Sequence, residues 1–376
     1  MFMKKVAIIG TNPSFLGGIA VYENQVLSML KKQKDLQLYV IYSGNKNKRY
    51  ASKGVNFMEV KVNQIYPFDQ ISFNSKVAKI IRTEKFEIIN SHAVWGAWVT
   101  RLSGRNTAQT YHGVTYYFLK NHYSRLNVLK KIALMPMLVY ARLIERPPYM
   151  NAEKVICVSE KVKRDLESLY GSRKNIYVIR TSADLNTFKK MNSRECRKKL
   201  GLEIDRIYGL YVGRGGYWTK GLDRAIKLSE EMYKLDKNYR LIVGGADKSK
   251  TKEFLQKPFV IYKEIISREE MPAYYNSADF FFCLSRYEGG APTLVTAEAM
   301  ACGCLVVCSK DSEQEVIVDG KNGFIIDLYS QVEAEKVFRE LVQRVPDSSA
   351  AYLGLGRALQ EQGKNREALY WRKCAC

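Results

Sequence analysis

The sequence lacks, or has few of, the residues and motifs that several classes of protein require. Among its 376 residues there are only three histidines, no window of 18 residues is wholly apolar, and none of the eight cysteines forms a C-x-x-C pair. Without such an apolar window no transmembrane helix is predicted. Without C-x-x-C pairs the commonest zinc and redox motifs are excluded. A D-x-D motif is also missing, so the sequence predicts no metal site.

The cysteines allow two interpretations at one place. Cys302, Cys304 and Cys308 lie close together and fit either a metal cluster or small apolar fillers of a turn and a buried strand, and the second interpretation is favoured. Thiols without these motifs are typical of a reducing cytosol. The first ten residues read as a strand and not as a signal peptide. We therefore expect a cytoplasmic protein.

Positive charge is abundant and unevenly distributed. The net charge is +22, and residues 1–150 hold 22 Lys and Arg against 7 Asp and Glu. Such a balance indicates an anionic partner surface. No nucleic-acid-binding motif is present, so anionic lipid headgroups or a lipid diphosphate are favoured. Residues 116–148 are aromatic, apolar and basic, which fits either attachment to the inner face of the cell membrane or a helix packed on the domain.

Alternating strands and helices predict an α/β fold with two doubly wound, Rossmann-like domains. The expected domains are residues 1–185 and 200–327, facing each other across a cleft, with a polar linker at 189–199. A composition shift follows, and residues 328–376 are predicted to form a helical tail. Its 34-residue spacing fits tetratricopeptide-like repeats, which could bind a protein partner, or an ordinary C-terminal helical segment.

Residues 285–303, SRYEGGAPTLVTAEAMACG, carry the densest functional signal. They follow an apolar strand predicted at 278–284 and read as a glycine loop that leads into a helix. A helix that begins after such a loop offers free backbone N–H groups to an anion, here at Thr293 and Leu294. Glu298 falls in the second turn of that helix, where a carboxylate can accept hydrogen bonds from sugar hydroxyls.

Three other stretches of the sequence also carry residues suited to ligand binding. Gly17 and Gly18 precede the first helix, where a phosphate can approach the backbone closely. Arg214 and Lys220 flank a glycine loop after the strand predicted at 207–212, and both carry charges suited to a diphosphate. His92 and His112 lie at strand ends, where open α/β sheets bind ligands. Taken singly, each residue also fits a solvated side chain or a turn residue.

Taken together, these motifs resemble the retaining family-4 glycosyltransferases of the GT-B fold. The match lies in Ser285, Glu288, Gly289 and the run from Glu298 to Gly303. This chain has nine residues between Glu288 and Glu298, where the family usually has seven. The resemblance extends over roughly residues 4–327.

The resemblance implies a role for each residue of the motifs. His112 and Glu288 would be catalytic, with His112 at the reacting end of the donor and Glu288 on the sugar hydroxyls. Residues assigned to binding the donor are Gly17, Gly18, Arg214, Lys220, Thr293, Leu294 and Glu298. His92 matches a looser pattern. No cofactor or metal is implied; the donor is a nucleotide diphosphate sugar, with UDP favoured over GDP.

The sequence thus predicts a retaining, metal-independent hexosyltransferase that acts on a lipid-linked or glycan acceptor in cell-surface polysaccharide or glycoconjugate synthesis. Two alternatives stay open at this point. A sugar-nucleotide epimerase shares the fold, and a non-catalytic scaffold could bind a sugar nucleotide without turning it over.

Overall fold

The computed structural model describes residues 3–12, 17–63, 65, 68–92, 98–99, 107–123, 127–213, 217–246, 248–289, 292–327, 335–337 and 339. Contacts divide this part of the chain into two compact units. The first extends to Thr181 and also takes in Gly289, and the second runs from Ser182 to Glu288 and resumes at Pro292.

The first unit is built on an eight-stranded sheet in the order β3-β4-β2-β1-β5-β6-β7-β8. Its strands are β1 (Lys4–Gly10), β2 (Leu36–Gly44), β3 (Lys48–Ser52), β4 (Val55–Lys61), β5 (Ile88–His92), β6 (Ala108–Tyr111), β7 (Lys154–Cys157) and β8 (Ile176–Val178). Edge strand β3 pairs antiparallel with β4, and the other described pairings are parallel. Since β1 has β2 on one side and β5 on the other, the strand order reverses at β1.

Apolar side chains alternate between the two faces of this sheet. In β1, Ala7 and Ile9 join one buried cluster, while Val6 and Ile8 join another. A strand buried on both faces reads as a continuous apolar run, as this one does. The accompanying helices are α1 (Gly18–Leu30), α2 (Phe68–Thr83), α3 (Thr115–Tyr123), α4 (Val128–Asn151) and α5 (Glu160–Tyr170).

Helix α4 covers most of residues 116–148, for which the sequence allowed either membrane attachment or packing on the domain. It begins after Asn127, whose side chain accepts a hydrogen bond from the Lys130 backbone N–H, and it continues past Pro136. Its buried residues are Ala141, Ile144, Glu145, Pro148 and Tyr149. Glu145 accepts hydrogen bonds from the backbone N–H groups of Thr115 and Tyr116, and so holds the start of α3. One side of α4 therefore packs on the domain and the other is exposed.

The second unit has a six-stranded parallel sheet in the order β11-β10-β9-β12-β13-β14. Its strands are β9 (Ile207–Val212), β10 (Tyr239–Gly244), β11 (Val260–Lys263), β12 (Phe280–Cys283), β13 (Leu305–Ser309) and β14 (Gly323–Ile326). In β12, Phe280 and Phe282 enter one core cluster while Phe281 and Cys283 enter the other. Strand β12 is therefore buried on both faces, as its unbroken apolar sequence predicts.

The helices of this unit are α6 (Ser193–Leu200), α7 (Leu222–Leu235), α8 (Lys248–Leu255), α9 (Met271–Ser277) and α10 (Leu294–Ala301). Helix α6 corrects the linker prediction for residues 189–199. Cys196 and Arg197 on this helix are buried, and the Arg197 guanidinium donates to Asp279 and to the carbonyl oxygen of Ser277. A long cationic side chain can be buried when its donors are satisfied in this way, so the basic composition was misleading.

Two α/β units built on parallel sheets confirm the predicted fold class. Cys302, Cys304 and Cys308 are free, buried thiols in one apolar cluster, as the filler interpretation requires. In the described part of the chain, no helix is both long and apolar enough to cross a membrane. Most of the predicted tail, residues 328–376, lies outside the described residues, and its repeat character stays a prediction.

Candidate active site

The candidate site in the second unit lies where its strand order reverses. Strand β9 sits between β10 and β12, and open parallel sheets bind ligands beyond the carboxyl ends of the strands at such a point. Lys220 lies in the turns between β9 and α7, and Glu288 follows β12. The fold therefore brings these two sequence-distant residues to one edge of the sheet.

Lys220 and Glu288 form an ion pair at this edge. Lys220 Nζ lies 2.7 Å from Oε1 and 2.8 Å from Oε2 of Glu288, and Ser285 Oγ donates to Oε1 at 2.6 Å. Burial acts to lower the pKa of Lys220, but the charge and hydrogen bonds of Glu288 outweigh it and raise this pKa. The amine is therefore fully charged at neutral pH. An ammonium group and an oriented carboxylate stand side by side, suited to an anion and to a hydroxyl-rich sugar.

The backbone conformation requires glycine directly after Lys220. Gly221 precedes the first residue of α7 with φ of +75°, and a Cβ atom there would lie 2.0 Å from the Leu284 carbonyl oxygen. Only glycine meets both conditions. In this K-G pair, the glycine has a structural role and the lysine carries the charge.

Glu298 lies on the inner side of α10 and is 1% exposed. Arg268 Nη1 lies 2.5 Å from Oε1 of Glu298, and Tyr275 Oη donates to Oε2 at 3.3 Å. Burial raises the pKa of Glu298, and the neighbouring Arg268 charge opposes that shift. This carboxylate, predicted to bind a ribose, already has partners on both of its oxygens.

Sequence reasoning missed Arg268. Its guanidinium stacks over the Phe188 ring at 4.6 Å while it pairs with Glu298. A signal was available, because Ser267 and Glu270 have the S-x-x-E spacing of a capping box. The structure shows this box: Ser267 Oγ accepts from the Glu270 N–H, and Glu270 accepts from the Ser267 N–H. Arg268 is held inside the turn thus formed.

The predicted helix N-terminus is present at α10. Thr293 caps the helix, with its side chain accepting from the Thr296 N–H at 3.3 Å. The Thr293 N–H itself donates to Gln314 Oε1 at 3.1 Å. Leu294 is the first helical residue, whose N–H, like the others of a first turn, has no acceptor within the helix. Of the two predicted backbone donors, Thr293 thus already has an acceptor within the protein.

In the first unit, Gly17 and Gly18 lie at the start of α1. Gly17 is the N-terminal cap in an extended conformation, and Gly18 is the first helical residue. Within the described part of the chain, a Cβ at Gly18 would meet nothing within 4 Å. Neither the described packing nor a positive φ therefore requires glycine at position 18.

His92 and His112 meet near the reversal of strand order in the first unit. His92 ends β5 and His112 directly follows β6, and His92 Nδ1 lies 3.0 Å from His112 Nε2. Glu23 of α1 is buried nearby, with Oε1 4.0 Å from His92 Nδ1. The Thr11 hydroxyl donates to Glu23 Oε2 at 2.8 Å. The sequence offered no signal for Glu23, since one glutamate in an amphipathic helix usually faces solvent.

The backbone beside His112 is closely packed. Gly289, which belongs to the first unit, is so near that a Cβ on it would lie 2.7 Å from the His112 carbonyl oxygen and 2.6 Å from Gly113 Cα. A Cβ on Gly113 would in turn lie 2.9 Å from Gly289 Cα. Glycine is needed at both positions for this close approach of two backbone segments.

Arg214, predicted to bind a diphosphate, lies outside the described residues. Of the other predicted site residues, Lys220 and Glu288 are brought into contact, while Glu298 pairs with Arg268. Among described side chains, no cluster of three or more His, Cys, Asp and Glu residues has metal-binding geometry.

Comparison with known proteins shows which families the two halves of the chain match. A family model described as Glycosyltransferase Family 4 matches residues 16–187. A second model, Glycosyl transferases group 1, matches residues 192–351. The chain is 21% identical to spore coat protein SA of Bacillus subtilis over 99% of this chain and 97% of that protein. It is 24% identical to the putative teichuronic acid biosynthesis glycosyltransferase TuaC of Bacillus subtilis, over 58% of this chain and 55% of that protein.

Solved structures show the same fold. Sucrose-phosphate synthase from Thermosynechococcus elongatus superposes with a TM-score of 0.74 at 17% identity, covering 98% of this chain and 99% of that one. Anabaena HepE in complex with UDP-glucose gives a TM-score of 0.67 at 16% identity, over 99% and 98% of the two chains. Because both halves of the chain match glycosyltransferase family models, the protein is a glycosyltransferase. Its two matched domains and its fold place it with the family-4-like glycosyltransferases.

Proposed function

We propose that this protein transfers a sugar, with retention of anomeric configuration, from a nucleoside diphosphate sugar to a hydroxyl of a glycan or lipid-linked acceptor. The pairing of Lys220 with Glu288 at the sheet edge carries this proposal. The family-4 resemblance supports retention, and relatives named for teichuronic acid synthesis and the spore coat support an acceptor at the cell surface.

The chemistry explains why such a pair is useful. When the anomeric bond breaks, positive charge develops on the sugar ring and negative charge on the departing diphosphate. Lys220 would neutralise the diphosphate, together with Arg214, and Glu288 would then be released from the pair to accept a hydrogen bond from a sugar hydroxyl. His112 is assigned to the transferred sugar by the resemblance. A positioned cation of this kind needs no metal, so we propose metal-independent transfer.

The donor is proposed to carry uridine. HepE, which shares the fold, is known in complex with UDP-glucose. Glu298 would accept hydrogen bonds from the ribose hydroxyls, as the resemblance implies. Its existing bond to Arg268 holds the carboxylate in a fixed direction, which lowers the entropy cost of binding.

We also propose that the protein attaches to an anionic phospholipid bilayer through one side of α4. At 100° per residue, five exposed apolar side chains between residues 128 and 143 fall within an arc of about 80° on this helix. The stripe consists of Val128, Ile132, Met135, Val139 and Leu143, which are 55% to 71% exposed. Exposed apolar stripes of this kind mark interaction sites.

The basic residues near this stripe indicate which kind of surface it binds. Lys131, Arg142 and Arg146 lie on the same side of α4, and the acidic residue of the helix, Glu145, is buried on the other side. Residues 1–150 carry 22 basic against 7 acidic side chains, so a second copy would be repelled at this surface. An anionic bilayer satisfies both the apolar stripe and the basic residues beside it.

Nucleotide release tests the catalytic proposal. The purified protein is incubated with UDP-, GDP- and ADP-sugars and a lipid-linked acceptor, and free nucleotide is measured with and without EDTA. We expect release from a UDP-sugar that EDTA does not change, and a product with the anomeric configuration of the donor by NMR. Inverted product, strict metal dependence, or a free sugar released without acceptor would each contradict part of the proposal.

A further inference from the structure

A buried histidine ring and a half-buried one are joined by a hydrogen bond in the first unit. His92 Nδ1 and His112 Nε2 are 3.0 Å apart, so one of these nitrogens must donate and the other accept. Burial lowers the pKa of His112 to about 4, and burial together with His112 lowers the pKa of His92 well below its usual value. Both rings are therefore neutral at pH 7, and each carries its single proton on one nitrogen or the other.

The surroundings of His92 show which of the two rings donates the hydrogen bond. If His112 were the donor, the His92 proton would sit on Nε2, a buried nitrogen with no hydrogen-bond partner in the described part of the chain. An orphaned buried N–H group is rare in folded proteins. The unprotonated His92 Nδ1 would also lie 4.0 Å from the Glu23 Oε1 atom, an unfavourable approach of two electron-rich atoms when Glu23 is ionised.

The opposite arrangement removes both problems. With the proton on His92 Nδ1, that N–H donates to His112 Nε2, and the partial positive charge of the N–H group lies about 4.0 Å from Glu23 Oε1. The carboxyl of Glu23 is itself held by the backbone N–H and the hydroxyl of Thr11. Tyr22 packs its ring edge-on against His112 at 4.8 Å and limits rotation of the imidazole.

We propose that Glu23 and His92 are positioning residues that fix His112 as the neutral tautomer protonated on Nδ1. His112 then presents an N–H at Nδ1. Unlike His92 Nε2, this nitrogen is not among the fully buried polar atoms without a partner in the described part of the chain, and the His112 ring is only half-buried. In this form His112 donates a hydrogen bond and is not a proton donor to the leaving group. The use of that N–H on the transferred sugar rests on the proposed function; the tautomer itself does not.

Nitrogen-15 NMR of the histidine rings tests the tautomer without any substrate. The chain has only three histidines, and the exposed His122 serves as the assignment control through His122→Gln. At pH 8, where Glu23 with its pKa of about 7 is ionised, we expect the protonated-nitrogen signal of His112 at Nδ1 and that of His92 also at Nδ1. A His112 ring protonated on Nε2 would overturn the proposal.

Matched substitutions of His92 separate positioning from packing. Asn places its side-chain amide close to where the Nδ1 group of histidine lies, so His92→Asn should keep the His112 tautomer. His92→Phe removes the donor but keeps a ring, and His112 should then shift toward protonation on Nε2. Glu23→Gln, with an amide in place of the carboxyl, should give a mixture of the two tautomers. An unchanged tautomer in the folded His92→Phe protein would overturn the proposal.

Kinetics with the donor sugar separate this proposal from the proposed function. We expect His92→Phe to lower kcat at least tenfold, with little change in the binding of free UDP, and His92→Asn to restore most of the loss. Turnover in which the folded His92→Phe and His92→Asn proteins both match the wild type would refute positioning. The expected tautomer in a protein that turns over no nucleotide sugar would refute the proposed function and leave the tautomer assignment standing.

Discussion

Arg268 and Glu298 form an ion pair at the carboxylate that the resemblance assigns to the ribose. Nη1 of Arg268 lies 2.5 Å from Oε1 of Glu298, and the guanidinium packs over the Phe188 ring at 4.6 Å. Glu298 is buried while Arg268 is about a third exposed. The Arg268 charge therefore opposes the effect of burial on the pKa of Glu298 and favours its ionised form, which accepts hydrogen bonds from hydroxyl groups more strongly than a neutral carboxyl group.

Glu298 and Glu288 should have separable effects on donor binding. Glu298→Gln should weaken the binding of UDP by roughly 1.5–3 kcal/mol, the range for a lost charged hydrogen bond. Glu288→Gln should leave UDP affinity unchanged and reduce transfer, because Glu288 is assigned to the sugar alone. Isothermal titration with UDP and turnover with the donor sugar measure the two effects. Equal loss of UDP affinity in both variants would show that the nine-residue spacing has changed these roles.

Removing Arg268 should act through Glu298. Arg268→Ala leaves a buried carboxylate without its cation, which raises the pKa of Glu298 further and destabilises the second unit. A partner removed from a fully buried pair costs about 3–5 kcal/mol; the cost here should be smaller since Arg268 is partly exposed. The double variant with Glu298→Gln should recover part of the melting temperature. Independent, additive losses in the double variant would contradict this coupling.

Lys220 should contribute mainly to the transition state. Lys220→Met keeps the length of the side chain but removes the charge that would neutralise the departing diphosphate. We expect kcat to fall by about 10²–10³-fold, the effect of losing one positioned electrostatic group. Single-turnover kinetics measure it, with the exposed Lys53→Met as a control for the loss of surface charge. A higher KM with unchanged kcat would indicate that Lys220 binds the ground state only.

Substitution by alanine should have opposite effects on stability at two glycines that lie at helix N-termini. Gly18 has open space around its Cβ position among the described residues, so Gly18→Ala should keep or raise the melting temperature and yet reduce donor turnover. Gly221 has φ of +75° and faces the Leu284 carbonyl oxygen. Gly221→Ala should therefore destabilise the fold by more than about 1 kcal/mol. Full activity in Gly18→Ala would remove the proposed diphosphate role of this turn.

Burial of Glu23 should make stability depend on pH. Burial raises its pKa to about 7 in the folded protein, against the lowering effect of the Thr11 hydrogen bonds. Between about pH 4.5 and 7 the folded state thus holds a proton that the unfolded chain releases, so stability falls as the pH rises. The shift is equivalent to about 3 kcal/mol at 1.36 kcal/mol per pKa unit.

Glu23→Gln removes this titration and provides the comparison. The stability of wild type relative to Glu23→Gln should be greatest below pH 4.5 and decline toward pH 7, measured by thermal unfolding across that range. Because the other titrating groups are common to both proteins, their contributions largely cancel in the difference. Parallel stability curves would show that Glu23 ionises in the folded protein as it does in an unfolded chain.

Local patterns predicted the fold wherever a strand or a helix start can be recognised in a short stretch of sequence. The run of Phe280, Phe281 and Phe282 indicates a strand buried on both faces, and Thr293 marks the start of α10. What the sequence could not predict depends on residues far apart along the chain. Lys220 meets Glu288, and Glu23 approaches His92, only because each sheet brings segments that are far apart in sequence to one edge. Composition misled at Arg197, whose guanidinium pairs with the distant Asp279 carboxylate and donates to the Ser277 carbonyl oxygen.

The exposed stripe on α4 should govern membrane binding. Ile132 and Ile265 are each 64% exposed, and Ile132 lies in the stripe while Ile265 lies in the second unit. Ile132→Asn should therefore reduce co-sedimentation with vesicles of phosphatidylglycerol and phosphatidylcholine, while Ile265→Asn should not. A substitution of Arg142 and Arg146 by Gln should weaken binding at low salt, and the difference should shrink as salt screens the charges.

Vesicle charge and oligomeric state separate the partners that this surface could have. Binding of the wild type should rise with the fraction of anionic lipid, by about 1 kcal/mol for each basic residue near the bilayer surface. Equal binding to neutral and anionic vesicles would contradict the electrostatic part of the proposal. Sedimentation of the free protein as a dimer that Ile132→Asn converts to a monomer would assign the stripe to a second copy of the chain, because an apolar stripe buried in a dimer would be closed to lipid.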